Sequence, residues 1–278
     1  MLVKNNMFEK ENIDLIEYFF RFMISKDWRL NFLEKANIIV NTKYLSMKKS
    51  AETLKNDKTC MINLNQIRNF ARLNWTPTNT DLHIKSLSSG LLEGHDWHGA
   101  MPSFLHLSFQ KKVREYCSGS LTLDEYLNIG KDIAKQEFYI VVTHDLCESK
   151  IISEFKDSIP SIANKGVTDF IFQNIPYDLK NSSLPKGWSM KEAKNNPLKL
   201  AKSLYEGADT ERLRKQAENS INDWGVNRFY VIVDDLEQWM KCPEELLKKI
   251  VDKSKDLKNP LKFNMEGVTI LCHMVFID

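Results

Sequence analysis

Nothing in this 278-residue sequence approaches the roughly 18 consecutive uncharged apolar residues of a membrane-spanning helix, so no such span is expected. The stretch MLVKNNMFEKENIDLIEYFFRFMISKDW is broken by charges every few residues and has no small-residue cleavage site, so it does not read as a secretory leader. Five cysteines, Cys60, Cys117, Cys147, Cys242 and Cys272, are scattered singly and form no CxxC. That pattern excludes a dense disulfide framework and the paired ligands of a structural zinc site, and it fits a reducing cytosol. Neither GxxxxGK[ST] nor GxGxxG occurs, which argues against a nucleotide-driven motor and a dinucleotide enzyme. Charge of one sign is also missing. With 39 Lys and Arg against 37 Asp and Glu, net charge neither announces nor excludes nucleic acid.

What is present is the composition of a folded chain, 42% hydrophobic, without internal repeat or low-complexity linker. Leu15, Ile16, Phe19, Phe20 and Met23 recur at helical spacing, and Ile38, Val40 and Leu45 continue a second helical segment. Residues 60–110 carry TPTNTD, SLSSG and GHDWHGAMP, which mark turns, so loops joining short elements are expected there. Thr122, with Glu125 three residues on, opens a helix; FYIVV at 138–142 reads as a strand, with a buried helical segment as the alternative; a second helix is expected over 144–159, ended by Pro160. GVTDFIFQNIPYDLKNSS reads as two short strands, the stretch from Asn196 to Gly225 as two helices, RFYVIVDD as a buried strand, the segment after Pro243 as an amphipathic helix and GVTILCHMVFI as a final strand. This alternation predicts an α/β fold, a mixed β-sheet flanked by helices over 131–278, preceded by a mainly helical region over 1–130 that holds recognition loops.

Three charges interrupt segments otherwise suited to burial: Asp169 in GVTDFIFQ, and Asp178 and Lys180 in IPYDLKNSS. Residues two apart share one face of a strand, so Asp178 and Lys180 go together and Leu179 opposes them. A turn through Gln173 and Asn174 pairs residue 172 with 175 and sets Asp169 opposite Asp178, with Cβ atoms about 5 Å apart. Two carboxylates at that distance repel unless a cation or a proton joins them. A hard divalent ion resolves the conflict, because Mg²⁺ prefers oxygen ligands and is typically held by one or two carboxylates plus phosphate.

An acid on one strand followed by an acid-x-lysine triplet on the next resembles the PD-(D/E)XK nuclease family, here through Thr168-Asp169 and Asp178-Leu179-Lys180. Thr168 stands where the family often has proline. The resemblance implies a restriction-endonuclease-like core, with Asp169 and Asp178 as ligands of Mg²⁺, for which Mn²⁺ can substitute, and Lys180 as the catalytic lysine. It also implies a further acid from the preceding helix; Glu148 and Glu154 are the candidates, with Glu154 favoured. Gln216 or Lys215 would serve from the following helix. The activity implied is that of a type II restriction enzyme cutting double-stranded DNA, a homodimer in a prokaryotic cytoplasm with a cognate DNA methyltransferase as system partner. A structure-specific repair nuclease or junction resolvase, and a non-catalytic binding module, are the rival readings.

Four other acid-x-lysine triplets, at Glu148, Glu154, Glu192 and Asp256, fall in segments expected to be helical and lack a preceding strand with its own acid. His95, His98 and His106 read as parts of polar turns rather than a zinc site. His144 and Cys147, one helical turn apart, lack the glycine-rich turn an oxyanion would need and read as core rather than as a nucleophile pair. Asp234 and Asp235 at a strand end suit a cap or a site equally. Trp75, Trp97 and Trp188, the lysine pairs at 48–49 and 111–112, Arg68 and Arg114 read as packing anchors and solvated faces before nucleic-acid contacts.

Overall fold

The computed structural model describes residues 10–35, 63–77, 81, 111, 113–163, 168–206, 210–234 and 242–278. The segment with Ile38, Val40 and Leu45, the turns with His95, Trp97, His98 and His106, Lys48, Lys49, Lys112 and Asp235 lie outside the described residues. Among the described residues no helix is long and apolar enough to cross a membrane.

The fold is α/β, a six-stranded mixed sheet flanked by helices. Helix α1 (Lys10–Tyr18) passes through a wide turn (Phe19–Met23) towards α2 (Lys26–Lys35), and α3 spans Leu64–Asn74. Next come α4 (Leu123–Glu154), β1 (Ile159–Pro160), β2 (Phe170–Phe172) and β3 (Ile175–Ser183). Helices α5 (Met190–Asn195), α6 (Pro197–Glu206) and α7 (Thr210–Glu218) lead to β4 (Arg228–Val233), α8 (Pro243–Lys255), β5 (Leu261–Met265) and β6 (Val268–Ile277). The sheet order is β1-β2-β3-β4-β6-β5; β3, β4 and β6 run parallel, while β1-β2, β2-β3 and β5-β6 are antiparallel.

Three expectations from the sequence are corrected here. FYIVV is not a strand, because α4 runs unbroken for 32 residues from the capping box of Thr122 and Glu125 to Glu154. No Gly or Pro stands between Lys131 and Glu154, and FYIVV has no turn residues at its flanks, so nothing interrupts the helical hydrogen bonds. Pro160 does not end the helix either. It lies in β1 at the sheet edge, where its missing N–H costs no ladder bond. Third, the stretch expected to be loops contains α3, opened by a capping box between Asn63 and Gln66 and anchored by Ile67, Phe70 and Ala71 at helical spacing.

Alternation along the strands sorts the core onto two faces. Phe170, Phe172, Tyr177, Leu179, Phe229 and Val231 meet Leu146, Ile151 and Ile152 of α4 and Leu246, Leu247 and Ile250 of α8. On the other face, Ile171 joins Leu15, Phe19, Phe20 and Met23, the predicted helical stripe, with Ile67 and Phe70 of α3. Further along that face Tyr230 and Ile232 pack under Leu200 and Tyr205 of α6 and Ala217 of α7. The N-terminal helices are thus built into the sheet, and Ile24 pairs with Ile162 beyond β1. Residue 130, the expected boundary, falls inside continuous α4.

Candidate metal centre

The β2–β3 hairpin turns on Gln173 and Asn174, both at positive φ (51° and 62°), the backbone of a two-residue type I′ turn. Its register sets Phe172 opposite Ile175 and Phe170 opposite Tyr177, and the Asp169 N–H donates to the Tyr177 carbonyl at 2.9 Å. The expected pairing of residue 172 with 175 is observed; the ladder ends at Phe170 and Tyr177, one residue short of the expected Asp169–Asp178 pair, although the two carboxylates still converge in one cluster. Strand β3 then continues alone to Ser183 against β4, which leaves a step in the sheet beside Asp178.

At this step a side chain replaces a ladder carbonyl: the Leu179 N–H donates to Asp169 Oδ2 at 2.6 Å. Leu179 itself is buried against α4 and α8, so Asp178 and Lys180 take the opposite face. Lys180 Nζ donates to Asp178 Oδ1 at 2.7 Å while remaining 45% exposed. The other oxygen, Oδ2, is 3.2 Å from Nε of Arg228, its register partner on β4. Arg228 is buried, and its remaining N–H groups donate to the carbonyls of Gly225 and Asn227 and to Gln216 Oε1 at 3.0 Å. A buried guanidinium with this many acceptors is a rigid support for one carboxylate. Gln216 thus comes near the centre through Arg228, whereas Lys215 points away to an exposed pair with Glu211.

From the far side of the step comes α4. His144 Nε2 lies 3.3 Å from Asp169 Oδ2, and Nδ1 faces Asp145 Oδ1 at 3.5 Å and Glu148 Oε2 at 3.8 Å. One ligand atom from each of His144, Asp169 and Asp178 falls within a 4.8 Å cluster, as does one from each of His144, Asp145 and Glu148. Glu148 therefore lies beside the centre, on the Nδ1 side of His144, and Glu154 does not. Glu154 is 43% exposed and accepts from Lys150 at 2.8 Å, an ion pair between successive turns of the helix surface.

Crowding shows in the protonation of these groups. Burial, then the charge of Asp169, pushes the Glu148 carboxyl up to about 8, with His144 opposing. Asp178 also rises: burial and Asp169 outweigh Arg228 and Lys180. Asp169 goes the other way, since the His144 hydrogen bond and charge and the Leu179 N–H overcome its burial. Burial disfavours a charged His144, yet its bonds to Asp145 and Asp169 and the nearby Glu148 hold it protonated well above the usual histidine range. Carboxyls crowded this closely, with Glu148 and Asp178 both raised, fit a divalent cation, which takes oxygen donors and removes their repulsion.

Cys147 belongs to the core. It is buried, Asn181 Nδ2 donates to its Sγ at 3.4 Å, and burial pushes the thiol up to about 12, the reverse of an activated nucleophile. Asp234 is exposed at the end of β4. Sequence reasoning set aside His144 and overlooked Asp145 and Arg228. The available signal was HDLCE, where His144 and Glu148 are one turn apart and Asp145 and Glu148 share the same side of a helix. Comparison with protein-family models, with curated proteins and with solved structures finds no match.

Proposed function

We propose that this chain is a divalent-cation-dependent endonuclease that hydrolyses phosphodiester bonds of DNA on a restriction-endonuclease-like core of the PD-(D/E)XK kind. The observation that carries the reading is the convergence of Asp169, Asp178 and Lys180 at one step of the sheet, with Glu148 behind His144 beside it. In its sharper form the proposal is a type II restriction enzyme, acting on double-stranded DNA as a homodimer in a prokaryotic cytoplasm alongside a cognate methyltransferase.

In this reading Asp169 and Asp178 hold the cation, Mg²⁺ or Mn²⁺ in its place. The bound ion would polarise a phosphoryl oxygen and lower the pKa of water. Arg228 fixes the position of Asp178 through the 3.2 Å contact to Oδ2, so that the carboxylate is oriented before any substrate arrives. The Leu179 N–H fixes Asp169 in the same way from the backbone. Lys180 reaches solvent from the same strand face as Asp178, where its ammonium can orient an attacking water or stabilise charge developing on the phosphate. Glu148 adds a carboxyl that takes up or releases a proton near neutrality.

Incubation of the purified protein with unmethylated plasmid and phage DNA, with Mg²⁺, Mn²⁺ or EDTA and beside Asp178→Ala, tests this reading. Discrete cation-dependent fragments, lost in the variant, are expected. Intact DNA under every condition from a folded protein would overturn it, and cutting confined to branched DNA would replace restriction with a junction-cutting role.

A further inference from the structure

We propose that His144 is itself a ligand of the cation, bound through Nε2 beside Asp169 and Asp178, and that the centre therefore takes a transition-series divalent ion such as Mn²⁺ in preference to Mg²⁺. The inference rests on the cation-dependent reading above and adds the third ligand and the identity of the ion.

Both edges of the imidazole are accounted for. Nε2 faces the two strand acids, 3.3 Å from Asp169 Oδ2 and in one 4.8 Å cluster with a ligand oxygen of Asp178. Nδ1 faces the opposite way, towards Asp145 Oδ1 at 3.5 Å and Glu148 Oε2 at 3.8 Å. A carboxylate behind the distal ring nitrogen is the arrangement that orients a metal-binding histidine, fixes its tautomer and raises its basicity. Leu146, Cys147 and Ile151 lock this part of α4 onto the sheet, which fixes the backbone that carries His144 beside the two strand acids.

The donor set then selects the ion. Mg²⁺ demands oxygen donors and gives up its water reluctantly, whereas an imidazole nitrogen favours first-row transition ions, increasingly so along the series after Mn²⁺. One nitrogen with two carboxylate oxygens is a mixed set that Mg²⁺ uses poorly. The alternative role for His144 is a fixed positive charge that neutralises Asp169. The two roles differ in sign: removing a ligand weakens binding of a cation, whereas removing a positive charge from the site strengthens it.

Calorimetric titration of Mn²⁺ and Mg²⁺ into wild type, His144→Ala and Asp145→Asn, with pulsed electron paramagnetic resonance of the Mn²⁺-loaded wild type, tests the assignment. Wild type should bind Mn²⁺ more tightly than Mg²⁺ and show ¹⁴N coupling that shifts to ¹⁵N on histidine labelling. His144→Ala should lose the coupling and at least roughly tenfold in Mn²⁺ affinity, with a smaller loss for Mg²⁺, and Asp145→Asn should lose an intermediate amount. Absence of nitrogen coupling in the folded wild type, unchanged or tighter Mn²⁺ binding by His144→Ala, or no binding of either ion would overturn it. The spectroscopy needs no variant, so a folding defect in His144→Ala leaves the assignment decidable. Nitrogen-coupled Mn²⁺ in a protein that cuts no DNA would overturn the nuclease reading and uphold the ligand; Mg²⁺-supported cutting without nitrogen coupling would do the reverse.

Discussion

Two histidines a few strands apart live in opposite worlds. His144, at the step beside β3, is held protonated by surrounding acids, while His273, on β6 in the layer between the sheet and helices α4 and α8, is buried among Phe172, Tyr177 and Phe229 and drops to about 4. The dry layer has no means of supporting charge, so it excludes it. The step concentrates carboxyls and balances them with Arg228, Lys180 and His144. Both regions are built from the same strands, with Tyr177 and Leu179 on one face of β3 and Asp178 and Lys180 on the other. Apolar packing and the charged cluster are therefore divided by strand parity rather than by domain.

Removing the charge balance of the step should have the largest effect. Arg228→Met leaves Asp178 half-enclosed without its buried partner and should cost about 3–5 kcal/mol in chemical denaturation. Adding Asp178→Asn should recover part of that loss, because no buried charge then stands unpaired. A smaller effect, in the dry layer, depends on pH. The unfolded chain protonates His273 below about 6.5, whereas the folded chain resists until about 4, so stability should fall as pH drops through that window. The fall is on the order of 3 kcal/mol at most, and His273→Phe should flatten it in melts across the same range. On α4, under the proposed nuclease reading, Glu148→Gln should lower DNA cleavage by roughly 10–100-fold, since it removes a carboxyl behind His144. Glu154→Gln should change neither cleavage nor stability beyond about 0.5 kcal/mol, as expected of an exposed ion pair. Equal effects from the two glutamates would erase the distinction between the faces of α4.

That distinction marks where the sequence stops being legible. The strands β3, β4 and β6 announce themselves through apolar runs, and the hairpin register follows from a two-residue turn, so Asp169, Asp178 and Lys180 could be brought together by counting. Glu148 and Glu154 could not be ranked by counting alone. Six residues place them about 9 Å apart along the helix and on different sides of it. Which side meets the sheet depends on how Leu146, Ile151 and Ile152 dock, a long-range choice. The same limit hid the continuity of α4, since β-branched and aromatic residues suit a strand or a buried helix and only the absence of nearby turn residues argued for the helix. Arg228 was invisible for another reason: it opens a strand whose apolar run drew attention to the residues after it, and its partner lies 50 residues earlier by register alone.

The bond from the Leu179 N–H to Asp169 Oδ2 carries one more consequence. It makes a backbone ladder the assembly gauge of the centre. A one-residue slip of β3 on β2 would turn Leu179 into the step and Asp178 into the dry layer, which the surrounding apolar side chains oppose. The two strand acids are then brought together by the closing of the hairpin in its proper register, while α4 and β4 add His144 and Arg228. The cluster can be lost at a single event, since local opening of this hairpin would dismantle it while the rest of the sheet stayed folded.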